Sequence, residues 1–204
     1  MAAPTASLAL CALLAFPVLE AAVLLPAYND PHSWAQVRAF SWSNCDSTLP
    51  VQILSLSLGP DPIIIPGPLQ LAVEVDISVT LNAPLKLAIV LQKKVLGLWV
   101  NVPCSNNIGT CTYDDVCGIL DSLIPAGQPC PEPLESNGFP CHCPFQAGVY
   151  TLPESTIQID LTLPSSAANG DFRLTGTLSS GENAIGCINI NFSLQSASGW
   201  HWLK

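Results

Sequence analysis

Residues 69–81 read LQLAVEVDISVTL, and apolar and polar side chains alternate along them without a break. Leu69, Leu71, Val73, Val75, Ile77, Val79 and Leu81 fall on one side, and Gln70, Ala72, Glu74, Asp76, Ser78 and Thr80 on the other. Successive side chains of a strand point to opposite faces, whereas a helix needs apolar residues every three or four positions. Period two over this whole stretch predicts a long strand with one apolar and one wetted face, as in an antiparallel sheet packed on one side.

The pattern recurs further along. TIQIDLTL (156–163) places Ile157, Ile159, Leu161 and Leu163 inward, and CININFSLQ (187–195) does the same for Ile188, Ile190, Phe192 and Leu194. Weaker strands are expected at 51–58, 85–92, 98–102, 148–152 and 171–178, punctuated by Pro60, Pro62, Pro66, Gly67, Pro68, Pro84, Pro103, Pro153 and Pro164. About eight short antiparallel strands make an all-β sandwich or cup. One short helix is expected: Thr112 and Asp115 resemble a capping box, Tyr113, Val116, Cys117, Leu120 and Ile124 recur at helical spacing, and Pro125 stops the run. Sequence alternation is the same for a hollow cup and a filled sandwich.

The chain has 204 residues, 49% hydrophobic and only 10% charged, enough for one domain with a core. Six Lys and Arg against 15 Asp and Glu give a net charge of −9, and the only adjacent cations are Lys93 and Lys94. Nucleic acid is repelled by such a chain and is set aside. Repulsion from anionic membranes weakens near the pI of about 4.4, which suits an acidic compartment.

Residues 8–25, LALCALLAFPVLEAAVLL, are apolar but interrupted by Pro17 and Glu20, too broken for a spanning helix. They read as a signal peptide over 1–22, cleaved somewhere in 20–27, although the usual basic start is missing; a leader-like segment follows over 23–39, then the domain over 40–204. Of nine cysteines, Cys11 falls in that leader. The other eight, Cys45, Cys104, Cys111, Cys117, Cys130, Cys141, Cys143 and Cys187, imply four disulfides in a secreted chain, with 105 pairings open. A zinc site around Cys141, His142 and Cys143 lacks the C-x-x-C spacing of metal ligands, so neither metal nor cofactor is expected.

Catalysis finds little support. There is no G-x-S-x-G, no H-E-x-x-H and no phosphate-cradling glycine loop. Of His32, His142 and His201, only His142 could serve a Ser-His-Asp arrangement, and bridged cysteines leave no thiolate. Asp114, Asp115 and Asp121 read as a solvated helix face and a partner for the helix dipole. A non-catalytic binding protein is the expectation, with a weak lipid esterase or a lipid-sensing receptor co-module as the alternatives.

Val95-Leu96-Gly97-Leu98-Trp99 lies beside the lysine pair, a composition favoured at a lipid interface. Of Ile63, Ile64 and Ile65, at least one must point away from the core. Trp200 and Trp202 sit in a terminal tail. Asn191-Phe192-Ser193 is a glycosylation sequon with Asn191 on the wet face.

The segments FSWSNCD (40–46), PDPIIIPG (60–67), APLKLAIVLQKKVLGLWVNVPC (83–104), IGTCTYDDVCGILDSLIPAGQPCPEPL (108–134), PCHCPFQAGVY (140–150) and IGCINI (185–190) resemble the ML lipid-recognition family over residues 40–195. The resemblance implies a β-cup with a central lipid cavity and pairings Cys45–Cys187, Cys104–Cys111, Cys117–Cys143 and Cys130–Cys141. Leu71, Val73, Val75, Ile77, Leu87, Ile89, Ile159, Leu161, Phe172, Leu174, Ile190 and Phe192 are the expected cavity lining. Ile64, Val95, Leu96, Leu98 and Trp99 are the expected lipid-binding rim, Trp99 matching the family's rim tryptophan. It further implies a lysosomal protein, partly secreted, that takes ganglioside GM2 and other glycolipids or phospholipids from a membrane surface. Such a protein presents GM2 to β-hexosaminidase A, which removes the terminal N-acetylgalactosamine. Two departures stand out: residues 166–167 are Ser-Ala where the family carries Trp-Leu, and the family's early sequon is absent at 67–69, Gly-Pro-Leu.

Overall fold

Residues 40–125, 127–161, 163 and 169–197 are described by a computed structural model. The elements run β1 (Ser41–Asn44), β2 (Val51–Gly59), β3 (Ile63–Ile65), β4 (Gly67–Ile77), β5 (Leu85–Val95), β6 (Leu98–Asn101), β7 (Thr112–Tyr113), α1 (Val116–Leu123), β8 (Gly148–Ile159), β9 (Gly170–Ser180) and β10 (Asn183–Ser196). Hydrogen bonding orders the strands β6-β5-β9-β10-β2-β4-β8, with β1 and β3 also on β10 and β7 on β5. The described residues are mostly β, as the alternation leads one to expect, with ten strands where about eight are expected, one short helix and four disulfides.

β10 holds β9 along its whole length, from Asn183↔Ser180 to Leu194↔Gly170. Its other edge is shared. β2 touches it at one pair, Gly186↔Val51, after which β1 takes residues 188–191 and β3 takes residues 194–196. The sheet therefore parts beyond Gly186 into two walls, β2-β4-β8 and β6-β5-β9-β10, whose inward faces meet. One core cluster joins Ile63, Leu91, Val102, Phe172 and Leu194; another joins Val75, Ile77, Leu81, Leu85, Cys117 and Ile185. Phe172 and Leu178, which belong to opposite clusters, lie six residues apart on β9, about 20 Å at strand rise.

Several local expectations are corrected. β4 ends at Ile77 instead of running to Leu81: Ser78 turns out of the ladder to bond Pro50 O through both its N–H (2.9 Å) and its hydroxyl (3.1 Å), leaving Val79 47% exposed. Leu81 returns to the core through paired backbone bonds with Phe145. The strands expected at 148–152 and 156–163 fuse into β8, because Pro153 sits on an edge strand where the β4 register slips between Leu71 and Val73, so no ladder N–H is missed. β8 stops at Ile159, which leaves Leu161 exposed. The helix is capped by Asp115, whose Oδ1 accepts from Cys117 N at 3.0 Å and Leu85 N at 3.2 Å; Thr112 belongs to β7, so there is no capping box. β1, β3 and β7 are too short to register as periodic segments.

The disulfides are Cys45–Cys187, Cys104–Cys111, Cys117–Cys143 and Cys130–Cys141, the same pairs that the resemblance implies. The last two tie α1 and the 130–143 loop over one end of the two walls. No helix among the described residues is long and apolar enough to cross a membrane.

Candidate functional site

Under that tied loop lies a cavity of about 370 Å³. Its walls are Val51 of β2, Val75 and Ile77 of β4, Tyr150 of β8 and Leu178 of β9. Its roof is Leu120 from α1 and Ile124 at its C-cap, with Leu134, Phe139 and Pro140 from the loop and Phe145 just beyond it. α1 and its C-cap present Leu120 and Ile124 inward while Leu123 stands 73% exposed, as expected of a short amphipathic helix clamped by Cys117. Phe139 meets Tyr150 edge to face at 6.2 Å. The Tyr150 hydroxyl donates to Gln146 O at 2.9 Å, so its polar end is satisfied within the protein. The volume lies in the range of about 300–1,000 Å³ typical of small-molecule pockets, and the chemistry of the walls suits hydrocarbon.

A second cavity of about 120 Å³ lies at the seam where the walls part, bounded by Asn44, Val51, Ile53, Leu87, Gly176, Leu178, Gly186, Cys187 and Ile188. Of the expected lining residues, Val75 and Ile77 face the larger cavity and Leu87 the smaller. Leu71, Val73, Ile159 and Ile190 are half-buried. Ile89 and Leu174 pack against the Phe172 cluster. Two expectations change. Leu161 lies past the end of β8 at 42% exposure, and Phe172 is fully buried, stacked on Phe192 at 5.7 Å, so this aromatic pair fills space that lining residues would leave open. Alternation overlooked the roof, since Leu134, Phe139 and Phe145 belong to no regular element; the crowded cysteines were the available signal.

The expected rim residues come from two places. Ile63 is buried while Ile64 is 39% exposed, so the outward member of the triplet is Ile64. The β5–β6 hairpin turns on Leu96 and Gly97, both with left-handed backbone (φ 50° and 85°). That is the two-residue turn for which Asn-Gly is the usual choice. Here a leucine occupies the first position, entirely exposed, flanked by Val95 (44%) and Leu98 (71%). A left-handed β-carbon costs about 1–2 kcal/mol and an exposed leucine returns nothing in water. Trp99 pairs with Lys94 across the hairpin and is half-buried, its ring 4.4 Å from the Arg173 guanidinium and 5.9 Å from the Lys94 ammonium. Lys93, on the other face, lies 5.7 Å over Phe172. Three of the six Lys and Arg in an acidic chain thus gather behind one apolar tip.

The polar candidates are differently engaged. His142 Nδ1 is 3.4 Å from Asp121 Oδ1 and its Nε2 is 3.0 Å from Gln128 O. A carbonyl acceptor therefore occupies the place where a catalytic serine hydroxyl would stand. Cys130, Cys141 and His142 come within metal-binding reach, but the two sulfurs are bonded to each other and offer no thiolate. Asn191 donates to Ser41 Oγ at 3.1 Å and accepts from Arg173 Nε at 3.3 Å, while Ser193 is buried on Asp171. Trp200, Trp202, Ser166 and Ala167 lie outside the described residues.

The ML domain profile matches residues 39–194. The chain is 47% identical over 181 residues to a ganglioside GM2 activator of Macaca fascicularis, covering 88% of this chain and 95% of that one. It is 43% identical over 185 residues to a ganglioside GM2 activator of Mus musculus, covering 90% and 96%. Among solved structures, a Niemann-Pick type C2 protein from Japanese carpenter ant aligns over 76% of this chain and 99% of its own, at 13% identity and a TM-score of 0.40.

Proposed function

The chain belongs to the ML domain family, and from that premise and its hollow interior we propose a lysosomal glycolipid carrier. It takes ganglioside GM2 from a membrane and offers the sugar end to β-hexosaminidase A, without covalent chemistry of its own. The observation that carries this reading is the apolar cavity of about 370 Å³ roofed by α1 and the disulfide-tied loop. The close relatives named ganglioside GM2 activator support the choice of lipid.

The physical need is plain. Each buried methylene is worth about 0.8 kcal/mol, so passing the roughly thirty of a ceramide through water costs on the order of 20 kcal/mol. A cavity that replaces one apolar environment by another removes most of that barrier. The exposed Val95-Leu96-Leu98 tip enters the bilayer surface, where its apolar side chains gain what water denies them, and Lys93, Lys94 and Arg173 sit at headgroup level. An N-terminal signal peptide delivers the chain to the secretory pathway.

Delipidated protein added to vesicles containing GM2 is expected to accelerate release of N-acetylgalactosamine by β-hexosaminidase A and to leave the vesicles with bound glycolipid. Hydrolysis no faster than with buffer, together with no lipid recovered on the protein, would overturn the reading.

A further inference from the structure

The smaller cavity has a feature that sheet packing does not require. The inward positions of β9 run Phe172, Leu174, Gly176 and Leu178, so one position of an otherwise filled face carries no side chain. Gly176 stands between Ile188 of β10 and Ile89 of β5. A β-carbon there would meet Ile188 and Leu174 at 3.6 and 3.7 Å, ordinary contact distances, without left-handed backbone. Glycine weakens a strand interior, and here neither close approach nor backbone conformation demands it. Gly186 is different: a β-carbon there would lie 3.0 Å from Val51 Cβ, at the single point where β2 meets β10. Gly186 closes the seam, and Gly176 leaves room behind it.

The room is chemically one-sided. Asn44 is the polar side chain on its boundary, and both ends of the amide are taken by the Ile53 backbone, Nδ2 donating to O at 2.8 Å and Oδ1 accepting from N at 3.0 Å. No sugar or phosphate finds a partner there; a hydrocarbon end does. Val51 and Leu178 border both cavities, so these two side chains form the partition between them.

We propose that this chamber receives the methyl end of a lipid's second hydrocarbon chain, with Gly176 keeping it open and the Val51–Leu178 partition setting how much of that chain is admitted. The proposal rests on the lipid-carrier reading and names within it what selects two-chain lipids by acyl length.

The test uses full-length protein and synthetic lactosyl sphingolipids sharing one sphingoid base, in single-chain, short-acyl and long-acyl forms, with binding read by native mass spectrometry. Gly176→Val is expected to weaken the long-acyl form by about tenfold or more, as when roughly two methylenes are shut out, and to leave the single-chain form unchanged. Gly176→Ala, which fits at the contact distances above, should give a smaller shift in the same direction and stands in if the valine variant fails to fold. An unchanged ratio of long-acyl to single-chain affinity in both folded variants overturns the chamber and spares the carrier. Absence of lipid binding by the unsubstituted protein overturns both.

Discussion

The two ends of the interior are built by different means. At the Phe172 end the walls fill the space between them: Phe172 stacks on Phe192, both come from paired strands, and the side chain is fully buried. At the Cys117 end the walls stay apart and a helix and an irregular loop roof the gap, leaving about 370 Å³ open. The side chains that line the open chamber forgo the contacts that a filled interior would give them, so this end has less packing to hold it. Two disulfides span the roof, closing chain separations of 26 and 11 residues. In chain-entropy terms they return about 3 kcal/mol each. The packed end holds itself together by contact, and the hollow end adds covalent ties to a buried cluster of its own, ties that persist whether the chamber is full or empty.

Substitution at the packed end should give the largest effect. Phe172→Ala removes a fully buried ring from a filled cluster and is expected to cost about 3–5 kcal/mol in denaturant unfolding. Leu120→Phe at the hollow end adds volume where room exists, so stability should change by no more than about 1 kcal/mol, while lipid uptake falls. If Phe172→Ala proves mild and Leu120→Phe severe, the Phe172 end has slack and the Cys117 end is filled, which reverses the comparison.

The same contrast governs what a reader of the sequence can find. β4 and β10 were legible because each buries one face over many residues, so the period survives local noise. The disulfide pairs came from family resemblance, since spacing alone leaves 105 pairings open. The roof was hidden: Leu134, Phe139 and Phe145 are placed by Cys117–Cys143 and Cys130–Cys141, and covalent ties leave no periodicity. Phe172 and Val75 are indistinguishable in the sequence, because facing inward does not say whether the opposite wall comes close. Trp99 was legible as an interfacial residue, while its pairing with Arg173, seventy-four positions away, was not.

A smaller effect is expected at the hairpin, which extends beyond the Phe172 end, past the Lys93–Phe172 pair, and whose exposed tip is stabilised by neither device. Leu96→Asn places the residue type suited to a left-handed turn before Gly97, and should raise stability by about 1 kcal/mol or less in denaturant unfolding. Transfer of glycolipid from vesicles should slow at the same time, because the tip loses its fully exposed apolar side chain. A variant both more stable and equally active would remove the lipid-facing account of the strained leucine.

The smallest effect concerns acid, and it falls at the seam between the walls. The hydroxyl and the backbone N–H of Thr48 both donate to Asp46 Oδ1, at 2.7 and 2.8 Å, and hold its carboxyl below the ordinary carboxylate value. A lowered folded value means that the unfolded chain binds the proton more readily. The stabilisation is therefore present above the unfolded value and is lost as pH falls through the folded one. Asp46 is fully exposed and follows Cys45, whose disulfide to Cys187 already fastens β1 to β10, so the loss should stay local. Asp46→Asn is expected to flatten the acid limb of the stability–pH curve slightly and to leave lipid uptake at mildly acidic pH unaltered. A large drop in uptake would mean that the turn at 46–48, rather than the disulfide beside it, keeps the smaller chamber in shape.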